Sequence, residues 1–144
     1  MKHWFITGIS RGLGLAMAKA AIAHGDRVWG TTRGAAPNIM HAPGQLNTVT
    51  LDLCDPQQVV PTVQRVFAQM GRVDVVVNNA GYGLLGAAED VTDEALRRLF
   101  EVDVFAPIRI VRTALPFLRT QGHGHVVNIT SLAGRAPGAG STLY

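Results

Sequence analysis

The chain has 144 residues, of which 47% are hydrophobic and 16% charged, so it has the size and polarity of one globular domain and not of a disordered polypeptide. Its formal net charge of +3 is small and its basic residues are scattered, which argues against a nucleic-acid-binding groove. No apolar run approaches the ~20 residues needed to cross a bilayer, and the amino-terminal residues do not resemble a signal peptide. The single cysteine, Cys54, has no partner within the chain, so a reducing cytoplasm is the expected location and a membrane is not.

Short apolar runs alternate with longer helical patterns along the chain, which is typical of a parallel α/β sheet. The runs are rich in Val, Ile and Thr, and they predict strands over residues 4–7, 27–32, 48–51, 74–78 and 125–130. The fourth run contains three consecutive valines, as expected for a strand that helices cover on both faces.

Between the strands, apolar residues at helical spacing predict helices over residues 13–24, 56–70 and 93–120. Asp55 and Pro56 are an N-cap followed by a first-turn proline, while Gly25 and Gly71 stand where left-handed helix ends are expected. Pro107 removes a hydrogen bond from the third helical segment, so we expect a kink or two abutting helices there.

The residues after the fifth predicted strand, 132–140, are dense in Gly, Ala and Pro and predict a loop. A doubly wound sheet usually continues with another helix and strand. The chain is therefore expected to be the front part of a larger domain, with its last strand left as an exposed apolar edge.

A glycine-rich segment lies directly after the first predicted strand and opens the first predicted helix. Residues 7–14 read Thr-Gly-Ile-Ser-Arg-Gly-Leu-Gly. Glycines in this place permit a tight turn and let the backbone approach a pyrophosphate, whose charge is met by free amides and the helix dipole. The segment favours nucleotide binding, and an ordinary strand-to-helix turn is the alternative.

The glycine spacing, Gly-x3-Gly-x-Gly, resembles the cofactor loop of the short-chain dehydrogenase/reductase family, and further motifs of that family follow in order. Asp52 and Leu53 follow the third strand, the sequence Asn-Asn-Ala-Gly at 78–81 follows the fourth, and Ser131 ends the fifth. Tyr144 comes thirteen residues after Ser131. The resemblance covers essentially the whole chain. It implies a Rossmann-like, doubly wound parallel α/β sheet, truncated to about five strands, in an NAD(P)-binding domain spanning residues 1–144.

By this resemblance, the cofactor contacts come from the glycine loop and from the ends of the second, third and fourth strands. Asp52 is expected to contact the adenine ring, and the Asn-Asn-Ala-Gly motif to support the sheet beside the cofactor. The predicted cofactor-binding residues are Gly8, Ser10, Arg11, Gly12, Leu13, Gly14, Arg33, Asp52, Leu53, Asn79, Ala80 and Gly81.

The residues at the end of the second strand favour NADP over NAD. Enzymes that prefer NAD usually carry an acidic side chain there, which hydrogen-bonds the ribose 2′-hydroxyl. This chain instead has Arg33, which can form charge-assisted bonds to a 2′-phosphate, and Arg11 could supply a second guanidinium. The alternatives are a solvated loop arginine at position 33 and a surface charge at the helix start at position 11.

The resemblance also implies a hydride transfer between the nicotinamide and the carbonyl or alcohol carbon of a small-molecule substrate. Tyr144 is then the predicted acid/base, and Ser131 the residue that hydrogen-bonds the substrate oxygen. The family places a lysine one helical turn after the tyrosine, and the chain has no residue at that position. The 144-residue chain by itself is therefore expected to bind the cofactor with negligible turnover. The alternative interpretations are a turn cap at Ser131 and a terminal surface tyrosine at Tyr144.

Asp103 stands where the family normally has an asparagine that helps to hold a water in the proton relay. It completes the predicted catalytic set of Ser131, Tyr144 and Asp103. An aspartate has nearly the same shape but brings a negative charge, which would raise the pKa of Tyr144. A structural role for Asp103 in its helix is the alternative.

Other residues suggest less chemistry. The five histidines lack metal-ligand spacing, so no metal is expected, and Cys54 is interpreted as a small apolar filler. The segment 95–118 resembles a helix through which the family assembles, so the full-length protein is expected to be a homo-oligomer. The competing hypothesis is a non-catalytic nucleotide-binding or interaction module on the same fold, favoured by Asp103 and by the chain's early end.

Overall fold

The computed structural model describes residues 1–136 and 138–140, and within them five parallel strands form one sheet. The strands are β1 (His3–Ile6), β2 (Arg27–Thr32), β3 (Leu46–Thr50), β4 (Val75–Asn78) and β5 (His125–Asn128). Their order across the sheet is β3-β2-β1-β4-β5. The chain thus winds outward from β1 in one direction and then returns to build the other half. The predicted Rossmann-like α/β fold is confirmed, and ligands of such sheets bind where the order reverses, between β1 and β4.

The helices cover both faces of this sheet. They are α1 (Gly12–Ala23), α2 (Pro56–Met70), α3 (Asp93–Phe100) and α4 (Ala106–Gln121). Successive residues of β1 point to opposite faces, so Phe5 packs with α2 and α4 while Ile6 packs with α1. All four residues of β4 are buried, as its run of valines predicts.

Helix α2 has the predicted bounds because its signals are local. The Asp55 side chain accepts a hydrogen bond from the N–H of Gln57, and Pro56 occupies the first turn. At the other end, Gly71 adopts a left-handed conformation with φ +65°.

The boundaries of several other elements differ from the prediction. β3 begins at Leu46, two residues early, because Leu46 pairs with Val28 of β2. β1 ends at Ile6, where the backbone turns into the glycine loop, and β5 ends at Asn128. The predicted loop after β5 contains one 3₁₀ turn, Leu132–Gly134.

The third predicted helix is interrupted in the turn before Pro107, and not at Pro107 itself. Residues Glu101–Phe105 form a π-helical turn between α3 and α4, closed by a hydrogen bond from the Ala106 N–H to the Glu101 carbonyl. Pro107 has no N–H to donate to the carbonyl of Asp103, four residues earlier, so the helix is irregular there. The helical run therefore continues through the interruption, and Asp103 sits in the π turn.

β5 is an outer strand of the described sheet, as predicted. Val127 on this strand and Ile129 just beyond it are 40% and 41% exposed. None of the helices in the described ranges is long and apolar enough to cross a membrane.

Candidate functional site

The glycine loop connects β1 to α1 at the point where the strand order reverses. Gly8 and Gly12 have φ of +73° and +57°, the left-handed region that side chains disfavour. The N–H groups of Gly8 and Ile9 both donate to the carbonyl of Thr31, at 3.1 and 3.0 Å. Because these bonds attach the loop to the end of β2, the loop is held in place from one side.

Asn79, directly after β4, holds the loop from the other side. Its side-chain amide donates to the carbonyls of Thr7 and Gly8, at 2.8 and 3.1 Å. The hydroxyl of Thr7 in turn accepts from the backbone N–H groups of Asn79 and Ala80, both at 3.0 Å. The Asn-Asn-Ala-Gly segment therefore fixes the loop that begins at Thr7.

Two glycines allow these segments to pack without a gap. A Cβ on Gly14 would lie 2.2 Å from the Gly8 carbonyl oxygen and 2.4 Å from the Asn79 Nδ2. A Cβ on Gly8 would lie 2.9 Å from the Cβ of Ala80. Side chains at either position would push α1 or the loop away from β4.

A cleft of about 720 Å³ opens above the loop, and we call it the glycine-loop cleft. It is lined by every predicted cofactor residue except Gly14: Gly8, Ser10, Arg11, Gly12, Leu13, Arg33, Asp52, Leu53, Asn79, Ala80 and Gly81. Gly14 is buried beneath the loop. Gly14 lets helix α1 approach the loop, and its role in cofactor binding stays a prediction.

The charges around this cleft favour an anion. Arg11, Arg33 and Arg98 line it, and within the described part of the chain none of the three forms an ion pair with a carboxylate. Asp52 is the only acidic residue among the described lining residues. No described side chain caps the start of α1, and its first residues, Gly12 and Leu13, line the cleft. The positive end of the helix dipole therefore lies at this cleft.

The end of β3 forms the far wall of the cleft. Asp52 Oδ1 accepts a hydrogen bond from the Cys54 N–H at 2.9 Å, which orients the carboxylate. Burial and the nearby Asp52 carboxylate raise the pKa of the Cys54 thiol, and Cys54 packs against the core on the α2 side. The thiol is therefore uncharged near neutral pH, in line with the predicted filler role.

A second cleft, of about 780 Å³, lies between α4 and the end of β5, and we call it the Ser131 cleft. It brings together Ser131 and Asp103, which are 28 positions apart in the sequence. Residues Asn79, Ala80, Gly81, Tyr82 and Ile129 line both clefts and form the wall between them. A ligand that fills one cleft therefore adjoins a ligand in the other.

Ser131 begins the 3₁₀ turn, and its hydroxyl oxygen accepts from the N–H of Ala133 at 3.1 Å. Ser131 therefore caps this turn, as the alternative interpretation of this residue proposes. Because the hydroxyl also lines the cleft, its hydrogen remains available to a ligand oxygen.

Asp103 is half-buried in the π turn. Its Oδ1 accepts from the N–H of Tyr82 at 3.2 Å, and a Cβ on Gly81 would lie 3.2 Å from the same oxygen. Burial raises the pKa of the Asp103 carboxyl, and the hydrogen bond from Tyr82 opposes that rise. The carboxylate thus holds the segment after β4 and faces the Ser131 cleft.

Tyr144, the predicted acid/base, lies outside the described residues. Within residues 1–136 and 138–140, no group of three or more His, Cys, Asp or Glu side chains is placed to hold a metal ion.

Several residues that line the glycine-loop cleft were not predicted to bind the cofactor, and Tyr82 and Arg98 are two of them. Tyr82, which is 39% exposed, lies in the wall shared by both clefts, and Arg98 projects from α3. The spacing of Ala95, Arg98 and Val102 is a helical signal that puts them on one face. That signal does not reveal which part of the molecule the face contacts.

Comparison with known proteins agrees with this arrangement. Residues 2–144 match the family model for short chain dehydrogenases. The Oxidoreductase BOA17 of Botryotinia fuckeliana (strain B05.10) is 39% identical over 147 residues, covering 99% of this chain and 54% of the relative. This chain belongs to the short-chain dehydrogenase family.

Solved structures show the same fold. A short-chain dehydrogenase from Streptomyces avermitilis superposes with a TM-score of 0.88 at 43% identity, over 96% of this chain and 52% of that one. A metagenomic short-chain oxidoreductase in complex with NADP superposes with a TM-score of 0.86 at 31% identity, over 97% of this chain and 66% of that one. The chain spans about half the length of the curated relatives it matches.

Proposed function

We propose that residues 1–144 are the cofactor-binding part of an NADP-preferring short-chain oxidoreductase. The enzyme would transfer a hydride between the nicotinamide and a small carbonyl or alcohol substrate. The observation that carries this proposal is the glycine-loop cleft, which combines the open start of α1 with the unpaired Arg11 and Arg33 among the described residues. Its volume of about 720 Å³ suits a dinucleotide cofactor.

The preference for NADP rests on the end of β2. The hydroxyl of Thr31 accepts from the Gly8 N–H at 3.1 Å, and that of Thr32 donates to the Gly34 carbonyl at 2.7 Å. Neither residue is acidic, and Arg33 follows them into the cleft. A 2′-phosphate beside Arg33 gains charge-assisted hydrogen bonds, whereas a 2′-hydroxyl lacks the acidic acceptor that NAD-preferring enzymes supply.

Each wall of the cleft has a role in this proposal. The free amides of α1 bind the pyrophosphate, Arg33 and Arg11 bind the 2′-phosphate, and Asp52 bonds the adenine ring. The shared wall at Asn79–Tyr82 then directs the nicotinamide toward the Ser131 cleft, where the substrate binds.

When bound, NADPH supplies the hydride that reduces the carbonyl carbon of the substrate. Ser131 donates a hydrogen bond to the carbonyl oxygen, and Tyr144 transfers a proton to it. The Asp103 carboxylate accepts a hydrogen bond from the Tyr82 N–H and lines the same cleft, where it would hold a water of the proton relay. In the reverse direction the Tyr144 phenolate removes the proton from the alcohol.

Direct binding tests the cofactor assignment. Titration with NADPH and NADH, followed by nucleotide fluorescence, should show tighter binding of NADPH. Arg33→Met should weaken NADPH binding by about tenfold and leave NADH unchanged, because only the 2′-phosphate contact is lost. Arg27→Met, at the opposite end of β2, is the matched control and should change neither. Equal affinity of the native protein for both nucleotides would contradict the NADP preference.

A non-catalytic nucleotide-binding module is the second candidate, and Asp103 is the observation that favours it. By the family resemblance Asp103 belongs to the proton relay, and a carboxylate in that relay would oppose formation of the Tyr144 phenolate. Carbonyl reduction that Tyr144→Phe abolishes, with NADPH binding retained, would support the enzyme. In the full-length protein, NADPH binding without turnover across a panel of ketones and aldehydes would favour the module.

Self-association is also part of the proposal. Phe100, Phe105 and Ile108 are 42%, 45% and 49% exposed along α3, the π turn and α4, within the segment 95–118. Apolar exposure of this kind suits an interface between copies. Light scattering should show a dimer or larger, and a monomer at all concentrations would count against this part.

A further inference from the structure

Two adjacent arginines of α3 face different surroundings. Arg98 lines the glycine-loop cleft on the same helical face as Ala95 and Val102. Arg97 points away from the cleft: its guanidinium pairs with Asp93 at 3.1 Å, and its side chain is 77% exposed. An ion pair between residues four apart on a helix therefore explains the position of the Arg97 side chain, but it does not explain that of Arg98.

Arg98 lies beside the end of β3. Burial raises the pKa of both the Cys54 thiol and the Tyr82 phenol, and the guanidinium of Arg98 opposes the rise in both. Arg98, Cys54 and Tyr82 also line the same cleft. Asp52 is held at this same end by its hydrogen bond from the Cys54 N–H. In the described part of the chain no Asp or Glu forms an ion pair with Arg98.

Arg98 reaches the cleft from a different element than the two arginines of the proposed 2′-phosphate region. That region is bounded by Arg33, at the end of β2, and by Arg11, in the glycine loop. Arg98 comes from α3 and lines the cleft together with Asp52 and Cys54, which follow β3. Both Arg98 and Arg33 act electrostatically on the Tyr82 phenol. A planar guanidinium without a carboxylate partner is suited to pack on an aromatic ring.

We propose that Arg98 is a cofactor-binding residue that packs its guanidinium against the adenine ring, while Asp52 bonds the edge of that ring. This inference rests on the proposed function, which places the adenosine half of the cofactor in the glycine-loop cleft. Adenine is common to NADP and NAD, so Arg98 contributes equally to the binding of both. Arg33 then sets the preference for NADP over NAD, whereas Arg98 raises the affinity for both.

The test compares NADPH and NADH dissociation constants for Arg98→Met, Arg97→Met and the native protein. Methionine keeps much of the length and apolar character of the arginine stem but lacks the planar cation. Arg98→Met should weaken both nucleotides by about fivefold and leave their ratio unchanged, as expected for one cation–π contact. Arg97→Met should change neither dissociation constant. Thermal melting of each variant checks that the fold is retained.

Arg98→Lys separates the positive charge from the planar group. We expect it to remain weaker than the native protein, because an ammonium group retains the charge but cannot stack. Full recovery of affinity in Arg98→Lys would overturn the stacking contact.

Other outcomes distinguish this inference from the function on which it rests. Native binding of NADPH with no effect of Arg98→Met would overturn the role of Arg98 and leave the proposed function standing. Weakened binding of NADPH alone would assign Arg98 to the 2′-phosphate and overturn the adenine contact. Failure of the native protein to bind either nucleotide would overturn the proposed function, and the inference with it.

Discussion

The side-chain amide of Asn79 donates to the carbonyl of Thr7 at 2.8 Å, while the hydroxyl of Thr7 accepts from the Asn79 backbone N–H at 3.0 Å. This reciprocal pair joins the segment after β4 to the start of the glycine loop. Thr7 is buried, so neither bond is readily replaced by bonds to water. The loop therefore owes its position to a residue 72 positions away along the chain.

Asn79→Ala should loosen the glycine loop. It removes two side-chain hydrogen bonds and leaves the carbonyls of Thr7 and Gly8 without them, which costs about 2 kcal/mol of unfolding free energy. NADPH binding should weaken by at least about tenfold, because the loop amides lose their fixed positions. Urea denaturation and NADPH titration measure the two effects. Asn38→Ala, at an exposed position, should alter neither.

Gly14→Ala should disrupt the cleft from below. The added Cβ would lie 2.2 Å from the Gly8 carbonyl oxygen, so α1 or the loop must move. We expect a loss of about 1–3 kcal/mol in stability and no detectable NADPH binding by titration. Gly34→Ala adds the same methyl group where no heavy atom lies within 4 Å, and it should fold with native stability. Native NADPH affinity in Gly14→Ala would show that the close packing is dispensable.

Asp103→Asn tests the charge in the Ser131 cleft. The amide has nearly the same shape and can still accept from the Tyr82 N–H, but it removes the negative charge that the proposed function places in the proton relay of Tyr144. The pKa of Tyr144 should then fall by about one unit. For alcohol oxidation, where Tyr144 acts as the base, the rising limb of the pH–rate profile should move to lower pH. An unchanged profile would mean that Asp103 lies too far from Tyr144 to act on it.

Asp74 makes the stability of the protein sensitive to acid. Burial alone raises the pKa of Asp74, but hydrogen bonds from Arg72 Nε and the His3 N–H, both at 2.8 Å, outweigh it. The charge of Arg72 and a contact from His123 at 3.2 Å add to the net lowering. A carboxyl whose pKa is lowered by folding stabilises the protein above its unfolded pKa of about 3.9. That contribution is lost as the pH falls through the lower, folded value.

Asp74→Asn should therefore cost about 2 kcal/mol at pH 7, since hydrogen bonds to a charged group are lost from a side chain that is only 7% exposed. Below about pH 4 the difference in stability between the native and mutant proteins should begin to shrink, and it should disappear only below the lowered pKa of the folded state. Urea denaturation from pH 3 to pH 7 measures the difference. A constant gap across that range would contradict the role of the ionised carboxylate.

The features that could be predicted from the sequence are those whose causes lie within a few residues. The bounds of α2 follow from the Asp55 cap, the first-turn Pro56 and the left-handed Gly71. The glycine loop follows in the same way from its position between a strand and a helix. The ends of strands are predicted less accurately. β3, for example, extends to Leu46 only because Leu46 pairs with Val28 of β2. Pairing of this kind depends on residues that are distant along the chain.

The amino-acid sequence directly specifies local properties, namely which residues can adopt a left-handed conformation, cap a helix or carry a charge. The sequence alone thus determined the order of strands and helices, the glycine loop and the cationic end of β2. Only the tertiary structure places Gly14 beneath the Gly8 carbonyl. It also brings Arg98 into the same cleft as the residues at the end of β3. Both depend on how α1 and α3 pack against segments far away in the chain. Periodicity identifies the face of a helix, but only the close packing of the whole domain decides what that face contacts.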